Sequence, residues 1–280
     1  CTLLTSDGTT ILGADDKAGI AEILTMIERI QTENRPHGTI CVAFTPDEEI
    51  GMGAEHFNLD QFGAEYAYTL DGDSEGEIQY ENFNACKAEF EIRGFNVHPG
   101  EGKDTMINAS LVAIEINNCL PSMETPRGTE DYEGFYHLIS MQGEVGEAKL
   151  NYIVRDHDKN GFEERKKTLR LIEKNLNAKW GEGTVTLKIT DQYLNMKEIV
   201  EEHMHLIDHA KKACEAAGVA PLILPIRGGT DGCQLSFKGL PCPNLGTGGH
   251  AFHGPYEHIS VEGMEKSVEL LLALIQEYTK

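Results

Sequence analysis

The sequence predicts an α/β fold in which a small α+β domain is inserted into a larger domain built on a mixed sheet. Its 280 residues are enough for two domains. Between residues 85 and 193 the strand-like and helical patterns follow the order β-α-β-β-α-β, which is the ferredoxin-like pattern. The flanking segments mix strand and helix, as α/β sheets do. We therefore expect the larger domain to comprise residues 1–84 and 194–280, with residues 85–193 inserted.

Helical periodicity predicts the first helix, over residues 16–31. Its apolar positions are Ile20, Ile23, Leu24, Ile27 and Ile30. We expect this stripe to pack on a sheet. Strands are predicted before the helix at residues 9–13 and after it at residues 39–44 and 66–70. The order strand, helix, strand, strand implies a sheet that is at least partly parallel.

The remaining patterns complete both domains. In the inserted domain we predict strands at residues 88–92, 135–142, 148–155 and 185–189, with helices at 106–119 and 161–180. After it we predict a helix at 201–217, an apolar run at 221–226 and a last helix at 261–278.

Charge and cysteine content limit the classes of partner and compartment. The 24 Lys and Arg residues face 46 Asp and Glu residues, a formal charge of −22, which argues against nucleic acid or an anionic membrane as a partner. No apolar stretch reaches the roughly 18 residues that a membrane span needs. The seven cysteines include no C-x-x-C pair, so free thiols in a reducing cytoplasm are the simplest interpretation.

A pair of adjacent carboxylates, Glu48 and Glu49, follows the predicted strand at residues 39–44. Ligands gather at the carboxyl ends of strands in open α/β sheets. Two carboxylates there can divide their roles, one binding a cation and the other moving a proton. Taken alone, such a pair is more commonly an acidic loop that only faces water, because runs of charged residues are usually exposed.

Three further residues have side chains that suit a metal site. Asp15 lies before the first helix, Asp71 follows a short strand, and His253 lies in a glycine-rich loop. Taken singly, Asp15 could be a helix N-cap, Asp71 a turn residue, and His253 or His250 a structural histidine. Grouped with Glu49, however, such carboxylates would repel one another unless a cation neutralised them. Oxygen and nitrogen ligands without thiolates suit zinc, manganese or cobalt.

Three motifs carry a resemblance to a known family. Residues 15–19 read DDKAG, residues 48–49 read EE, and residues 253–257 read HGPYE. They resemble the D-x-K-[GA]-G, E-E and H-x-x-x-E motifs of the co-catalytic zinc exopeptidases, which include carboxypeptidase G and aminoacylase. The wording of residues 12–17, 95–100 and 155–158 is closest to the family's tripeptide-cleaving aminopeptidases. The resemblance implies a zinc-exopeptidase-like mixed sheet whose inserted ferredoxin-like domain serves as a lid.

The resemblance also implies roles for the metal-site residues. Asp15 would bridge two zinc ions, with Glu49 and His253 on one ion and Asp71 on the other. Glu48 would be the general base that accepts a proton from the attacking water. The family motif further implies a cis peptide bond after Asp15.

For substrate recognition the resemblance implies three residues. His98 of the lid would stabilise the oxyanion, because an imidazole can donate to developing negative charge. Arg155 and Arg227 would hold the terminal carboxylate of the peptide, since guanidinium groups match carboxylates. The alternative for both arginines is a surface ion pair in an acidic protein. The expected substrates are short peptides, tripeptides above all, and the prediction leaves homodimer formation open.

One family feature has no counterpart in the sequence. The family draws a further zinc-ligand histidine from an upstream H-x-D motif, and none precedes Asp15. We therefore expect an N-terminally shortened chain with an incomplete second metal site. Two alternatives to a tripeptidase remain: a dipeptidase, carboxypeptidase or deacylase with the same metals, and a non-catalytic fragment that only binds metal or associates with a partner.

Overall fold

The computed structural model describes residues 1–279 and divides into two compact units. The discontinuous unit comprises Cys1–Asn82 and the chain from Met196 on, and the inserted unit comprises Phe83–Asn195. Within residues 1–279 no helix combines the length and apolarity that crossing a membrane requires.

The elements follow one another in this order. The discontinuous unit begins with β1 (Leu3–Thr5), α1 (Ala14–Thr32), α2 (Leu59–Phe62), β2 (Thr69–Gly72) and β3 (Glu77–Gln79). The inserted unit contains β4 (Asn84–Arg93), α3 (Ala109–Asn118), β5 (Phe135–Gly143), β6 (Glu147–Asp156), α4 (Lys159–Trp180) and β7 (Val185–Tyr193). The discontinuous unit resumes with α5 (Lys197–Val200), α6 (His205–Ala216), β8 (Leu222–Ile223), α7 (Asp231–Lys238), β9 (Asn244–Gly246), β10 (Gly249–His250), β11 (His258–Ser260) and α8 (Val261–Glu277). Short 3-10 helices lie at Glu48–Ile50, Pro99–Glu101 and Glu201–His203.

The inserted unit has the predicted βαββαβ order. Its strands form one antiparallel sheet in the order β5-β6-β4-β7. From Cys86 on, alternate residues of β4 are buried, as the two-residue period of a strand requires when one face of a sheet is covered. Phe90 of β4, Val112 of α3 and Leu169 of α4 belong to one core cluster, so both helices pack against that covered face.

The discontinuous unit is built on a mixed sheet in the order β2-β9-β3-β8. Strand β2 pairs parallel with β9, and β3 pairs parallel with β8, whereas β3 and β9 are antiparallel. This confirms the predicted partly parallel sheet. A second, antiparallel sheet has the order β1-β11-β10. Strand β2 places Asp71 within its last residues, and β10 and β11 flank the loop that contains His253.

Two strand predictions are wrong. Residues 9–13 contain no strand, and residues 39–44 contain none either, with Val42 and Phe44 exposed. A segment rich in strand-favouring residues forms a strand only when a neighbouring strand supplies hydrogen-bond partners for its backbone. Among the described residues, no strand pairs with either segment. Helix α1 forms as predicted, but its apolar stripe is not fully buried. Ile20 and Leu24, two of the positions expected to pack on a sheet, are exposed.

The buried face of α1 instead contains a carboxyl group, that of Glu22. This residue is 1% exposed, and neither carboxyl oxygen has a hydrogen-bond partner among the described residues. Burial, assisted by the nearby charge of Asp16, raises the pKa of Glu22 to about 9. Glu22 is therefore neutral in the folded protein near pH 7.

Glu22 is expected to make stability fall as pH rises. Between the ordinary pKa of a glutamate, near 4.5, and the folded value of about 9, the unfolded chain is ionised while the folded protein stays protonated. Glu22→Gln should remove this dependence and stabilise the protein at pH 8 by on the order of 2–4 kcal/mol. Urea denaturation at pH 5 and pH 8 measures it, with Glu28→Gln on the exposed face of α1 as control. An unchanged pH slope in Glu22→Gln would contradict the prediction.

Candidate metal centre

Asp15 lies at the first turn of α1, in backbone that is not yet helical. Its φ and ψ are −77° and 109°, and the peptide bond to Asp16 is cis, as predicted. Asp16 acts as the cap of the helix, because its Oδ1 accepts the Gly19 N–H at 3.0 Å. The N-cap alternative for Asp15 is thus wrong, and its carboxylate is available for other contacts.

Glu257 holds the segment before Asp15 in place. Its Oε2 accepts the Gly13 N–H at 2.6 Å and its Oε1 accepts the Asp15 N–H at 3.1 Å. Burial of Glu257 acts to raise its pKa, but these backbone donors outweigh burial and hold the pKa below its usual range. The sequence motif contained Glu257 but did not reveal this role, since a spacing of four residues from His253 does not show which backbone groups the carboxylate reaches.

Replacement of Glu257 should loosen this segment. Glu257→Gln exchanges one acceptor oxygen for an NH₂ group facing a backbone N–H, so the free energy of unfolding should fall by about 1.5–3 kcal/mol. Urea denaturation in the presence of a chelator measures the effect without bound metal. Glu262→Gln is a matched control, because Glu262 also accepts a backbone N–H, that of Thr2, but at an exposed site. Equal destabilisation by both substitutions would contradict the assigned role.

Glu48 and Glu49 lie in the 3-10 helix Glu48–Ile50. Asp47 and Gly51 on either side have positive φ values of 63° and 73°, so the chain turns sharply at both ends of the pair. Glu48 is half-buried, whereas Glu49 is exposed. The two neighbouring side chains therefore have different surroundings.

His253 approaches two of these carboxylates. Its Nε2 lies 2.8 Å from Asp15 Oδ2 and 3.2 Å from Glu49 Oε2. The backbone of His253 has a positive φ of 61°, in the left-handed region. One ligand atom from each of Asp15, Glu49 and His253 lies within 4.8 Å of the others, a group that could hold a metal ion.

Asp71 of β2 lies beside Asp15 in the same cleft, which Glu48, Glu49 and His253 also line. Burial first, and then the charges of Asp16, Glu48 and Asp15, raise the pKa of Asp71. The pKa of Glu48 is likewise raised, to about 7, first by burial and then by the negative charges of Asp231, Glu49 and Asp15. Such crowding of carboxylates is costly without a cation.

The donor set fits a divalent ion. Carboxylate oxygens and an imidazole nitrogen are zinc ligands, and two ligand atoms on one tetrahedral zinc ion lie roughly 3.3 Å apart. The contacts of His253 Nε2 with Asp15 and Glu49, at 2.8 and 3.2 Å, are close to that spacing. His250 does not belong to this group; it pairs across the sheet with His258, the two ring centroids 5.4 Å apart.

The three residues predicted to bind substrate are divided between the two units. Arg227 is exposed in the loop that precedes α7. His98 and Arg155 belong to the inserted unit, where the His98 Nδ1 accepts the Gly100 N–H at 3.2 Å. The Arg155 Nη1 donates to the Val154 carbonyl at 3.0 Å, and the guanidinium lies over the Tyr193 ring.

Carboxylate and imidazole groups whose ligand atoms lie within 4.8 Å of one another, with a further carboxylate in the same cleft, are typical of a metal-dependent hydrolase. Residues 11–277 match Peptidase family M20/M25/M40, and the chain belongs to that family.

Individual relatives are similar over nearly the whole chain. Peptidase T of Halothermothrix orenii is 55% identical over 278 residues, covering 99% of this chain and 68% of the relative. Peptidase T of Clostridium perfringens is 56% identical over 280 residues, covering 100% of this chain and 69% of the relative. The crystal structure of aminopeptidase PepT from Bacillus cereus matches with a TM-score of 0.86 at 28% identity, covering 99% of this chain and 74% of that one. These matches support the predicted fold class.

Proposed function

We propose that this chain is a metal-dependent aminopeptidase that releases the N-terminal residue from tripeptides. The observation that carries the proposal is the group formed by Asp15, Glu49 and His253, with Glu48 beside it. The group lies in a chain 55% identical to a relative named Peptidase T. Zinc is the proposed ion, with manganese and cobalt as alternatives.

The metal-site residues have separate proposed roles. Asp15 lies 2.8 Å from His253 and lines the same cleft as Asp71, so Asp15, Glu49 and His253 would hold one ion, and Asp71 together with Asp15 would hold a second. A bound zinc ion would lower the pKa of a water towards about 7 and polarise a carbonyl. Glu48 would accept the proton of the attacking water, because its half-buried carboxylate lines the same cleft as Asp15, Glu49 and His253.

We assign substrate recognition to His98, Arg155 and Arg227. Because the His98 Nδ1 accepts the Gly100 N–H, its proton resides on Nε2, which can then donate to developing negative charge. The contacts of Arg155 with Val154 and Tyr193 fix the direction of its guanidinium. Arg155 and Arg227 would bind the terminal carboxylate of the peptide.

Substrate length and the C-terminal group test the proposal. The enzyme should cleave tripeptides in preference to dipeptides, tetrapeptides and N-acyl amino acids. Arg155→Ala should raise KM for a tripeptide roughly 10- to 100-fold and that of the matching tripeptide amide far less, because the amide lacks the carboxylate. Arg170→Ala, an exposed arginine of the same unit, is the control. Preference for another substrate would favour a dipeptidase, carboxypeptidase or deacylase, and metal binding without turnover would favour a non-catalytic module.

A further inference from the structure

One face of α7 contacts the segment that contains Glu48 and Glu49. Asp231, Gln234 and Lys238 are spaced three and four residues apart, so they lie on the same side of the helix. Each of the three makes a hydrogen bond to the chain between residues 45 and 55, which we call the carboxylate loop. The contacts therefore begin before the Glu48–Glu49 pair and continue beyond it.

The hydrogen bonds join three points of the carboxylate loop to α7. Thr45 Oγ1 donates to Asp231 Oδ2 at 2.6 Å. Gln234 Nε2 donates to the Gly51 carbonyl at 3.0 Å. Lys238 Nζ donates to the carbonyl of Ala54 and, at 2.8 Å, to that of Glu55. Three of these four bonds use loop carbonyls, and a short 3-10 helix satisfies few backbone groups by itself.

Asp231 is the most buried of these contacts. It is 3% exposed, and its Oδ1 has no hydrogen-bond partner among residues 1–279. A Cβ atom added to Gly53 would lie 2.2 Å from Asp231 Oδ2, so the loop backbone at Gly53 also packs against this carboxylate. Thr45 and Gly53, on opposite sides of Glu48 and Glu49, thus contact one group.

We propose that Asp231, Gln234 and Lys238 are positioning residues that hold the carboxylate loop, so that Glu48 and Glu49 keep their places in the cleft. The inference rests on the proposed function for its effect on turnover, but not for its effect on the loop. A general base and a metal ligand that are held in place support a faster reaction than mobile ones, because a small misplacement of a reacting group lowers the rate strongly.

Matched substitutions at Thr45 test the inference with little risk to the fold. Thr45→Val removes the hydroxyl at similar volume, whereas Thr45→Ser keeps it. Hydrogen–deuterium exchange of peptides covering residues 45–55 should speed up about tenfold in Thr45→Val and return towards wild type in Thr45→Ser. Gln234→Ala should also speed up the exchange of residues 45–55. Gln276→Ala is the control: it removes a hydrogen bond from α8 to the Pro36 carbonyl and should leave this exchange unchanged.

Turnover gives a second readout. In Thr45→Val and Gln234→Ala, kcat for a tripeptide should fall about 10- to 100-fold, while KM changes less than about threefold, because the loop supplies the base rather than the substrate contacts. Unchanged exchange at residues 45–55 in both variants would overturn the inference, whatever the activity. If the wild-type chain cleaves no peptide but the exchange differences are present, the proposed function fails and the positioning role stands.

Discussion

Glu48→Gln should abolish nearly all turnover while leaving the bound metal in place. The amide has the size of the carboxylate but cannot accept the proton of the attacking water, so kcat should fall by about 10²- to 10⁴-fold. Glu49→Gln should instead weaken metal binding, because the Glu49 carboxylate is one of the three groups whose ligand atoms lie within 4.8 Å of one another. The measurements are peptide turnover and metal per chain by elemental analysis after dialysis.

The comparison between the two glutamates is the control. They are adjacent in the sequence and lie in the same 3-10 helix, so general damage to the loop would affect both substitutions alike. Equal metal loss in Glu48→Gln and Glu49→Gln would refute the division into base and ligand. Restoring the activity of Glu49→Gln with excess zinc, but not that of Glu48→Gln, would support it.

His253→Asn should lose tightly bound metal and, with it, peptidase activity. The imidazole Nε2 is the atom that approaches both Asp15 and Glu49, and an asparagine amide is a poor substitute ligand. The loss of activity should exceed the roughly 10- to 100-fold cost of removing a residue that only supports a ligand. Asparagine tolerates the positive φ of 61° at this position, and the His253 side chain is 65% exposed, so the fold should persist.

His250→Asn is the matched control for His253→Asn. His250 lies three residues earlier in the sequence, pairs with His258 across the sheet and is not part of the metal group. Metal content should therefore remain at the wild-type level. If metal were lost in His250→Asn and kept in His253→Asn, the assignment of the ligand histidine would be wrong.

Much of this architecture was predictable from residue patterns. The long periodic segments of the inserted unit predicted the order from β4 to β7, because each strand and helix there has enough residues to show its period. The candidate ligands Asp15, Glu49, Asp71 and His253 were recognisable because their side chains suit divalent ions and because they follow predicted strands or lie in motifs that resemble those of a metal-dependent family. Their motifs also indicated the family, which the match over residues 11–277 confirms.

Other features escaped prediction because they depend on contacts between distant segments. Residues 39–44 have the composition of a strand, but the structure supplies no pairing partner for it among the described residues. Helix α7 was not predicted either, since its eight residues, Asp231–Lys238, are too few to show a clear helical period. The hydrogen bonds of α7 to the carboxylate loop could not be inferred for the same reason.

The sequence by itself determined which chemical groups are available and roughly which periodic elements form, because ligand chemistry and local periodicity are properties of nearby residues. Only the tertiary structure decided the surroundings of each carboxylate. Glu257 accepts the N–H of Gly13, 244 residues away, and this contact helps to direct Asp15 towards His253. Burial beside other acids, rather than residue type, raises the pKa of Glu48 to about 7. Both effects arise from groups that only folding brings together, since hydrogen bonding and desolvation act over a few ångströms in space.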